Sequence, residues 1–594
     1  MLKIRPVPLL LVSFLALAPA AWAQKAVQPG DPEAATGRQE KGLAHAHSYM
    51  AVAANPLAAE AGRQVLAEGG SAIDAGIAMQ VMLMLVEPQS SGIGGGAYLL
   101  HWDAKKRQLT ALDGRETAPA AARPDRFLKD GKPMGFQDAL AQGRAVGTPG
   151  VLKALELAHQ RHGKLPWSRL LAPTIEMAEK GFTVSPRMAE LLRFMRPYME
   201  NRPDMRRLFY KDGAGPYEAG EIFRDPDLAA ALRLIARDGV DKAFYRGPIG
   251  KRIAQHLKEA AGPDGPATVT EADLATYQAK ERPPLCGPYR QYKVCSMGPS
   301  SGGGVLILQT LGMLEGFELK AMKPDDPRFW HLFAEANRRA YADRTRWLGD
   351  ADFVAVPLAG LLDRGYIAGR AATIDEAKVV EQNAKPGEPP RKLGMLRPAV
   401  GDERDLPETS HLSATDRDGN ILSMTTSVEA AFGSGIVSDG FILNNQLTDF
   451  SFQAERDGVA VANAPAGGKR PLSSMAPTIV FAPDGRPLLT LGSPGGTAIA
   501  AYVALTLVAV LDWGWDIQKA IDLPRLVNRN GTTYLEEGPD APRLKAALEA
   551  MGHQVEVRQM ASGLHALAFP DAAGGRGGID GAADPRREGA ALGD

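Results

Sequence analysis

The 594-residue sequence predicts one large layered domain of mixed strands and helices, not a string of small domains. Three observations lead there. The composition, 45% hydrophobic and 23% charged, suits a chain with a sizeable core and excludes a disordered one. Strand and helix patterns occur on both sides of a single irregular break at residues 380–409, and no internal repeat divides the chain. With 68 Lys+Arg against 69 Asp+Glu, no net field draws the protein to nucleic acid or to anionic lipid.

The elements follow in chain order. Met1–Ala23 reads as a secretory signal: Lys3 and Arg5 give a positive start, Leu9–Leu17 an apolar stretch, and Ala21-Trp22-Ala23 a small-x-small cleavage site. The apolar stretch stops at Pro19, short of a bilayer span, and no other run of about 18 apolar residues occurs. The mature chain is therefore expected to begin at Gln24, periplasmic or secreted, with no membrane span. Pro56–Val86 reads as helices interrupted at Gly69-Gly70, and the glycine-rich Glu87–Gly96 leads into a strand, Ala97–Trp102. Helical patterns dominate from Pro149 to Leu257. Cys286 and Cys295 flank a hairpin tip; a cross-strand disulfide and two free thiols both stay open, because strand register decides. The break at 380–409 carries Pro386, Pro389, Pro390, Pro398 and Pro407 and reads as a linker or mobile surface loop. Beyond it, Ser410–Thr415 and Ile421–Ser427 are strands joined by Asp416–Asn420, whose Asp-Gly is a hairpin signal. Gly440–Leu443 and Thr478–Phe481 are further strands. Leu488–Gly492 then runs through Ser493-Pro494-Gly495-Gly496 into a helix from Thr497 to Leu511.

Two places could hold a nucleophile, and two glycine clusters could hold an anion. Gly298-Pro299-Ser300-Ser301-Gly302 matches G-x-S-x-G between a strand and a helix, but no H-G-G-G-type oxyanion loop accompanies it, so a tight turn near the cleft is the preferred reading. The glycines at 92–96 and 492–496 lack the context of a dinucleotide or P-loop motif. Gly495 and Gly496 instead offer N–H groups to a carboxylate or developing oxyanion at a helix start. Thr409-Ser410-His411 stands where the Pro-rich break meets a strand. If the chain is cut there, Ser410 gains a free α-amine, whose reference pKa of about 7.7–8.0 suits a general base for its own hydroxyl. The ten histidines are scattered, with no H-E-x-x-H and no Cys/His cluster, so neither a metal nor another cofactor is expected.

Six segments in order resemble the gamma-glutamyltransferase family of N-terminal nucleophile hydrolases. They are Glu87–Gly96, Asp113-Gly114-Arg115-Glu116-Thr117-Ala118-Pro119, Thr409-Ser410-His411, Leu443–Ser451, Lys469–Thr478 and Gly492–Gly496. The resemblance, from about residue 43 to 591, implies an α/β (α+β) four-layer αββα sandwich and self-cleavage of a precursor. The products would be a large chain, 24–409, and a small chain, 410–594, held together as a heterodimer. Ser410 would attack the Thr409 carbonyl by an N-to-O shift, then the γ-amide of glutathione or a related compound, passing the acyl group to water or to an amino acid or peptide. Arg115, with Ser473 and Ser474, would hold the substrate α-carboxylate, a charge-assisted pairing. Gln446 and Asp449 would accept from the α-ammonium, and Gly495 and Gly496 would form the oxyanion hole.

This sequence departs from the family in four places. Ser410 replaces the usual Thr nucleophile and loses the methyl that restricts χ1; Thr409 is the fallback nucleophile if the cut falls one residue earlier. Ser427 stands for a supporting Thr. Glu429 stands for an Asn at the amino-acid end of the substrate, adding charge beside Asp449. Phe452–Gly468 is short and lacks a Tyr lid residue, which implies a more open site. Two other readings follow: an acylase on cephalosporin-like or other amides with the same fold, and an exported solute-binding protein, which would have no reason to self-cleave.

Overall fold

The computed structural model describes residues 37–140, 143–261, 267–402, 408–570 and 577–594. The expected signal segment and residues 403–407 of the break lie outside the described residues. Two seven-stranded antiparallel sheets form the centre. The first runs, in spatial order, Lys280–Arg282, Gln108–Gly114, Gly96–Asp103, Ile421–Glu429, Glu408–Thr415, Met50–Ala53 and Ala590–Gly593. The second runs Ala44–Ala46, Ile579–Ala583, His565–Ala568, Pro487–Gly492, Thr478–Phe481, Tyr292–Ser296 and Leu285–Tyr289. The Glu408–Thr415 and Ile421–Glu429 strands pack against His565–Ala568 and Pro487–Gly492, so the sheets lie face to face. Helices Pro56–Ala67, Ala72–Val86 and Val151–His162 cover the outer face of the first sheet. Gly303–Leu314, Ile499–Leu511 and Ile517–Asp522 cover the second. This is the αββα order that the resemblance implied.

A sheet covered on both faces needs strands without a wet side, and every residue of Glu408–Thr415 and Ile421–Glu429 is buried. The two faces differ in chemistry. Leu412, Ala414, Leu422 and Met424 join the apolar core under the helices. Facing the other sheet, the His411 ring meets the Thr425 and Ser413 hydroxyls at 2.9 and 3.1 Å, and Ser423 Oγ donates to the Leu491 carbonyl. Because side chains alternate along a strand, a His411 turned toward the second sheet sends Ser410 to the helical side. There Glu87 caps the Ala72–Val86 helix.

The Asp416–Asn420 hairpin forms as expected, with Gly419 at φ +78°. Its hub is the buried Asp416 carboxylate. Oδ1 accepts from the Asp418 and Asn420 N–H groups, and Oδ2 from the Ala72 N–H at the start of a covering helix. Cys286 and Cys295 stand directly opposite each other across their hairpin and are disulfide-bonded, which decides the question that the spacing left open. The described part of the 380–402 segment has no helix. It crosses the surface on hydrogen bonds, among them Trp347 Nε1–H to the Gly387 carbonyl and Gly401 N–H to the Thr345 carbonyl.

Replacing Asp416 by Ala leaves the buried Ala72 N–H and the two hairpin N–H groups without that acceptor. Asp416→Ala is expected to cost about 3 kcal/mol, read as a lowered denaturation midpoint; an unchanged midpoint would show that the hairpin does not depend on that carboxylate.

Candidate active site

Sequence positions more than 350 residues apart line one small cavity of about 20 Å³, room for roughly one water molecule. Its walls are Arg115, Thr409, Ser427, Glu429, Gln446, Asp449, Ser473, Ser474, Met475, Gly496 and Ile499. The structure thus brings together nearly every residue singled out above. Ser410 and Gly495 lie beside this wall and are not part of it.

Arg115 directly follows the Gln108–Gly114 strand and is fully buried. Its Nη1 donates to Gln446 Oε1 at 2.9 Å and its Nη2 to Asp449 Oδ2, while Nε reaches the Pro471 carbonyl at 3.3 Å. Burial opposes the charge, yet Asp449 and Glu116 alongside hold the guanidinium above its ordinary pKa. Glu116, buried 3.6 Å from Arg115, is pushed by burial up to about 8. Ser474 is aimed by Arg344, whose Nη2 donates to its Oγ at 2.9 Å. Ser473 is fixed through its backbone: its N–H donates to the Ser300 carbonyl and its carbonyl accepts from the Gly302 N–H.

That clamp is the role of the Gly298–Gly302 turn. Ser300 Oγ is buried 2.6 Å from Tyr98 Oη, with no histidine on it, so the preferred turn reading fits. His411 does not serve Ser410 either: it faces the other sheet, and burial beside His565 holds it neutral.

The Glu408–Thr415 strand carries an irregularity where the chemistry is expected. Register runs Glu408 to Glu429 and then Ser410 to Thr426, so Thr409 faces both Ser427 and Val428. The Thr409 hydroxyl donates to Ser427 Oγ at 3.3 Å; Ser427 in turn donates to the Glu408 carbonyl and accepts from the Glu429 N–H, both at 2.8 Å. Glu429 has left-handed backbone, φ +83°, and its carboxylate accepts from Asn445 Nδ2. The glycine motif presses on the same strand: a Cβ on Gly95 would sit 2.1 Å from the Ser427 carbonyl oxygen. Gly495, at φ +126°, could not carry a Cβ without meeting the Tyr502 ring at 2.7 Å. Among the described residues, no acceptor takes the Gly495 or Gly496 N–H.

The arrangement offers a buried cation, a carboxylate, two hydroxyls and free N–H groups around a space next to a serine. That set recognises a small zwitterion and can stabilise an oxyanion. Among the described residues, no group of three His, Cys, Asp or Glu side chains could hold a metal ion. Sequence reasoning gave no role to Glu87, Arg344 or Arg587. Glu87 stood inside a motif already singled out, but the two arginines had no local signal.

The family model described as Gamma-glutamyltranspeptidase matches residues 58–594. The chain is 37% identical over 557 residues to the glutathione hydrolase proenzyme of Bacillus subtilis strain 168, covering 92% of this chain and 91% of that protein. It is 35% identical over 596 residues to the glutathione hydrolase proenzyme of Escherichia coli K12, covering 98% of each. Among solved structures, the cephalosporin acylase from Bacillus halodurans superposes with a TM-score of 0.81 at 26% identity, over 95% of this chain and 99% of that one.

Arg115→Ala would take the cation away from the partly exposed Asp449 carboxylate and the buried Glu116, at an expected cost of about 3 kcal/mol. Adding Asp449→Ala should recover part of that loss in a double-mutant cycle; strictly additive losses would mean that the two charges are not coupled.

Proposed function

Because this chain belongs to the gamma-glutamyltranspeptidase family of N-terminal nucleophile hydrolases, we propose that it is an inactive precursor that cuts itself between Thr409 and Ser410. The products are a large chain, 24–409, and a small chain, 410–594. Ser410 Oγ then attacks the γ-carbonyl of a γ-glutamyl amide such as glutathione, with its own α-amine as general base. The amine leaves, and water or an acceptor amino acid or peptide takes the acyl group from Ser410. Arg115, Ser473 and Ser474 bind the α-carboxylate; Gln446, Asp449 and Glu429 receive the α-ammonium; the Gly495 and Gly496 N–H groups face the oxyanion. Ser427 positions the Thr409–Ser410 segment.

The observation that carries this reading is the meeting of Arg115, Gln446, Asp449, Ser473 and Ser474 around one cavity with Thr409 in its wall. Arg115 and Asp449 already face each other as cation and anion, matching the two charges of a glutamyl α-carbon. At about 20 Å³ the cavity of the uncut chain is too small for a glutamyl group, so binding has to follow cleavage and release of Thr409. We place the enzyme in the periplasm or outside the cell on the strength of Met1–Ala23. The Cys286–Cys295 disulfide fits an oxidising compartment, and no helix among the described residues is long and apolar enough to cross a membrane.

A second reading, an acylase on cephalosporin-like or other amides with the same fold, is favoured by the similarity to a cephalosporin acylase. Turnover of γ-glutamyl-p-nitroanilide against a glutaryl amide separates the two. The glutamyl compound is expected to win, and a preference for the glutaryl compound would reverse the assignment.

Intact mass and N-terminal sequencing of purified protein should show two chains, the smaller starting at Ser410, whereas Ser410→Ala should stay one chain and release no p-nitroaniline. A small chain starting at Thr409, or a Ser410→Ala protein that is cut and active, would move the nucleophile elsewhere.

A further inference from the structure

The Thr409–Ser410 peptide bond is flanked by two charged side chains that do not line the substrate cavity. Ser410 Oγ donates to Glu87 Oε2 at 3.2 Å, and both residues are buried. Arg587 Nη1 donates to the Thr409 carbonyl oxygen at 3.0 Å. A hydroxyl, an acceptor for its proton and a cation on the carbonyl to be attacked are therefore in place in the uncut chain. We propose that Glu87 and Arg587 are the catalytic residues of self-cleavage, Glu87 moving the proton and Arg587 holding the oxyanion. This rests on the cleavage assigned to Thr409–Ser410 above.

The bonds balance as follows. Glu87 takes the Oγ proton as Ser410 Oγ bonds to the Thr409 carbonyl carbon, and the carbonyl electrons move onto the oxygen held by Arg587. When the tetrahedral centre collapses, the bond from the Thr409 carbon to Ser410 N breaks and Glu87 returns its proton to that nitrogen. An ester and a free amine result. Water then opens the ester, giving the Thr409 carboxylate and restoring the Ser410 hydroxyl.

The surroundings suit both directions of transfer. Glu87 Oε1 has no hydrogen-bond donor among the described residues; Arg187 Nε stands 3.7 Å from it and reaches across to Glu408, which its Nη2 meets at 3.2 Å. Burial pushes the Glu87 carboxyl up to about 7 against the pull of Arg187, Arg587 and the Ser410 hydroxyl, and Glu588 adds like charge. A base poised near neutrality can accept a proton and give it back. Arg587 lies 178 residues beyond Thr409, so the cut awaits the docking of the segment that carries it.

The test uses the full-length chain, pulse-labelled in cell-free translation and chased from about pH 5.5 to about pH 8.5. Appearance of the small chain is followed on gels, and its N-terminus is read by mass spectrometry. Glu87 must be ionised to act, so the wild-type rate should fall as pH drops below about 7, the value burial gives that carboxyl. Glu87→Gln and Arg587→Gln should each slow cleavage at least about tenfold, with Glu87→Asp and Arg587→Lys recovering part of the rate. A Glu87→Gln chain that is cut at the wild-type rate overturns the proposal. So does a wild-type rate that is flat with pH, a result that stands even if the variants do not fold. A wild-type chain cut at another bond would instead overturn the Thr409–Ser410 assignment.

Discussion

The antiparallel pairing of Glu408–Thr415 with Ile421–Glu429, buried on both faces in the middle of a sheet, fixes the rest of the site. Strand alternation sends Ser410 toward the helices and His411 toward the other sheet. The irregular register at Thr409 places the Thr409–Ser410 bond beside Ser427. Neighbouring segments take their positions from the same ladder: the Val428 N–H donates to the Ser90 carbonyl, and the Asn445 N–H donates to the Val428 carbonyl. The early glycine motif and the 443–451 segment are thus tied to one strand end. A mid-sheet strand is also a place from which a nucleophile cannot drift, since every residue of the ladder is buried.

Charge burial follows from that placement. Two clusters set an arginine among carboxyl groups inside the protein, Arg115 with Asp449 and Glu116, and Arg187 with Glu87 and Glu408. Removing such charges from water is costly, and apolar replacements of the same volume are often as stable. Their retention is therefore better explained by chemistry than by stability. Each group has a member with capacity left over, a feature of functional sites: Glu116, pushed up to about 8, in one, and Glu87 Oε1 in the other.

Much of this was legible in the sequence where a local rule governs. Asp-Gly between two strand patterns specified the hairpin, glycine pairs marked where helices break and begin, and ordered motifs pointed to Arg115, Gln446, Asp449, Ser473 and Ser474. What was not legible depends on register and on distant partners. Cys286 and Cys295 could be paired only once the strands were aligned. The left-handed backbone of Glu429, at the strand end, has no compositional mark. Glu87 meets Ser410 across 323 residues and Arg587 meets Thr409 across 178, separations at which no spacing pattern operates.

The topology has a consequence for the cut protein. Residues on either side of Ser410 alternate within both sheets: Met50–Ala53 lies between Glu408–Thr415 and Ala590–Gly593, and Tyr292–Ser296 lies beside Thr478–Phe481. With the cut proposed before Ser410, each sheet is woven from two separate polypeptides. The heterodimer cannot dissociate into folded halves, because parting the chains means unravelling both sheets at once. Once lost, the weave would have to be rebuilt by two molecules finding each other, with no linking peptide to keep them close. The durability of the mature protein is therefore a matter of how slowly it comes apart, not of an equilibrium to which it can return.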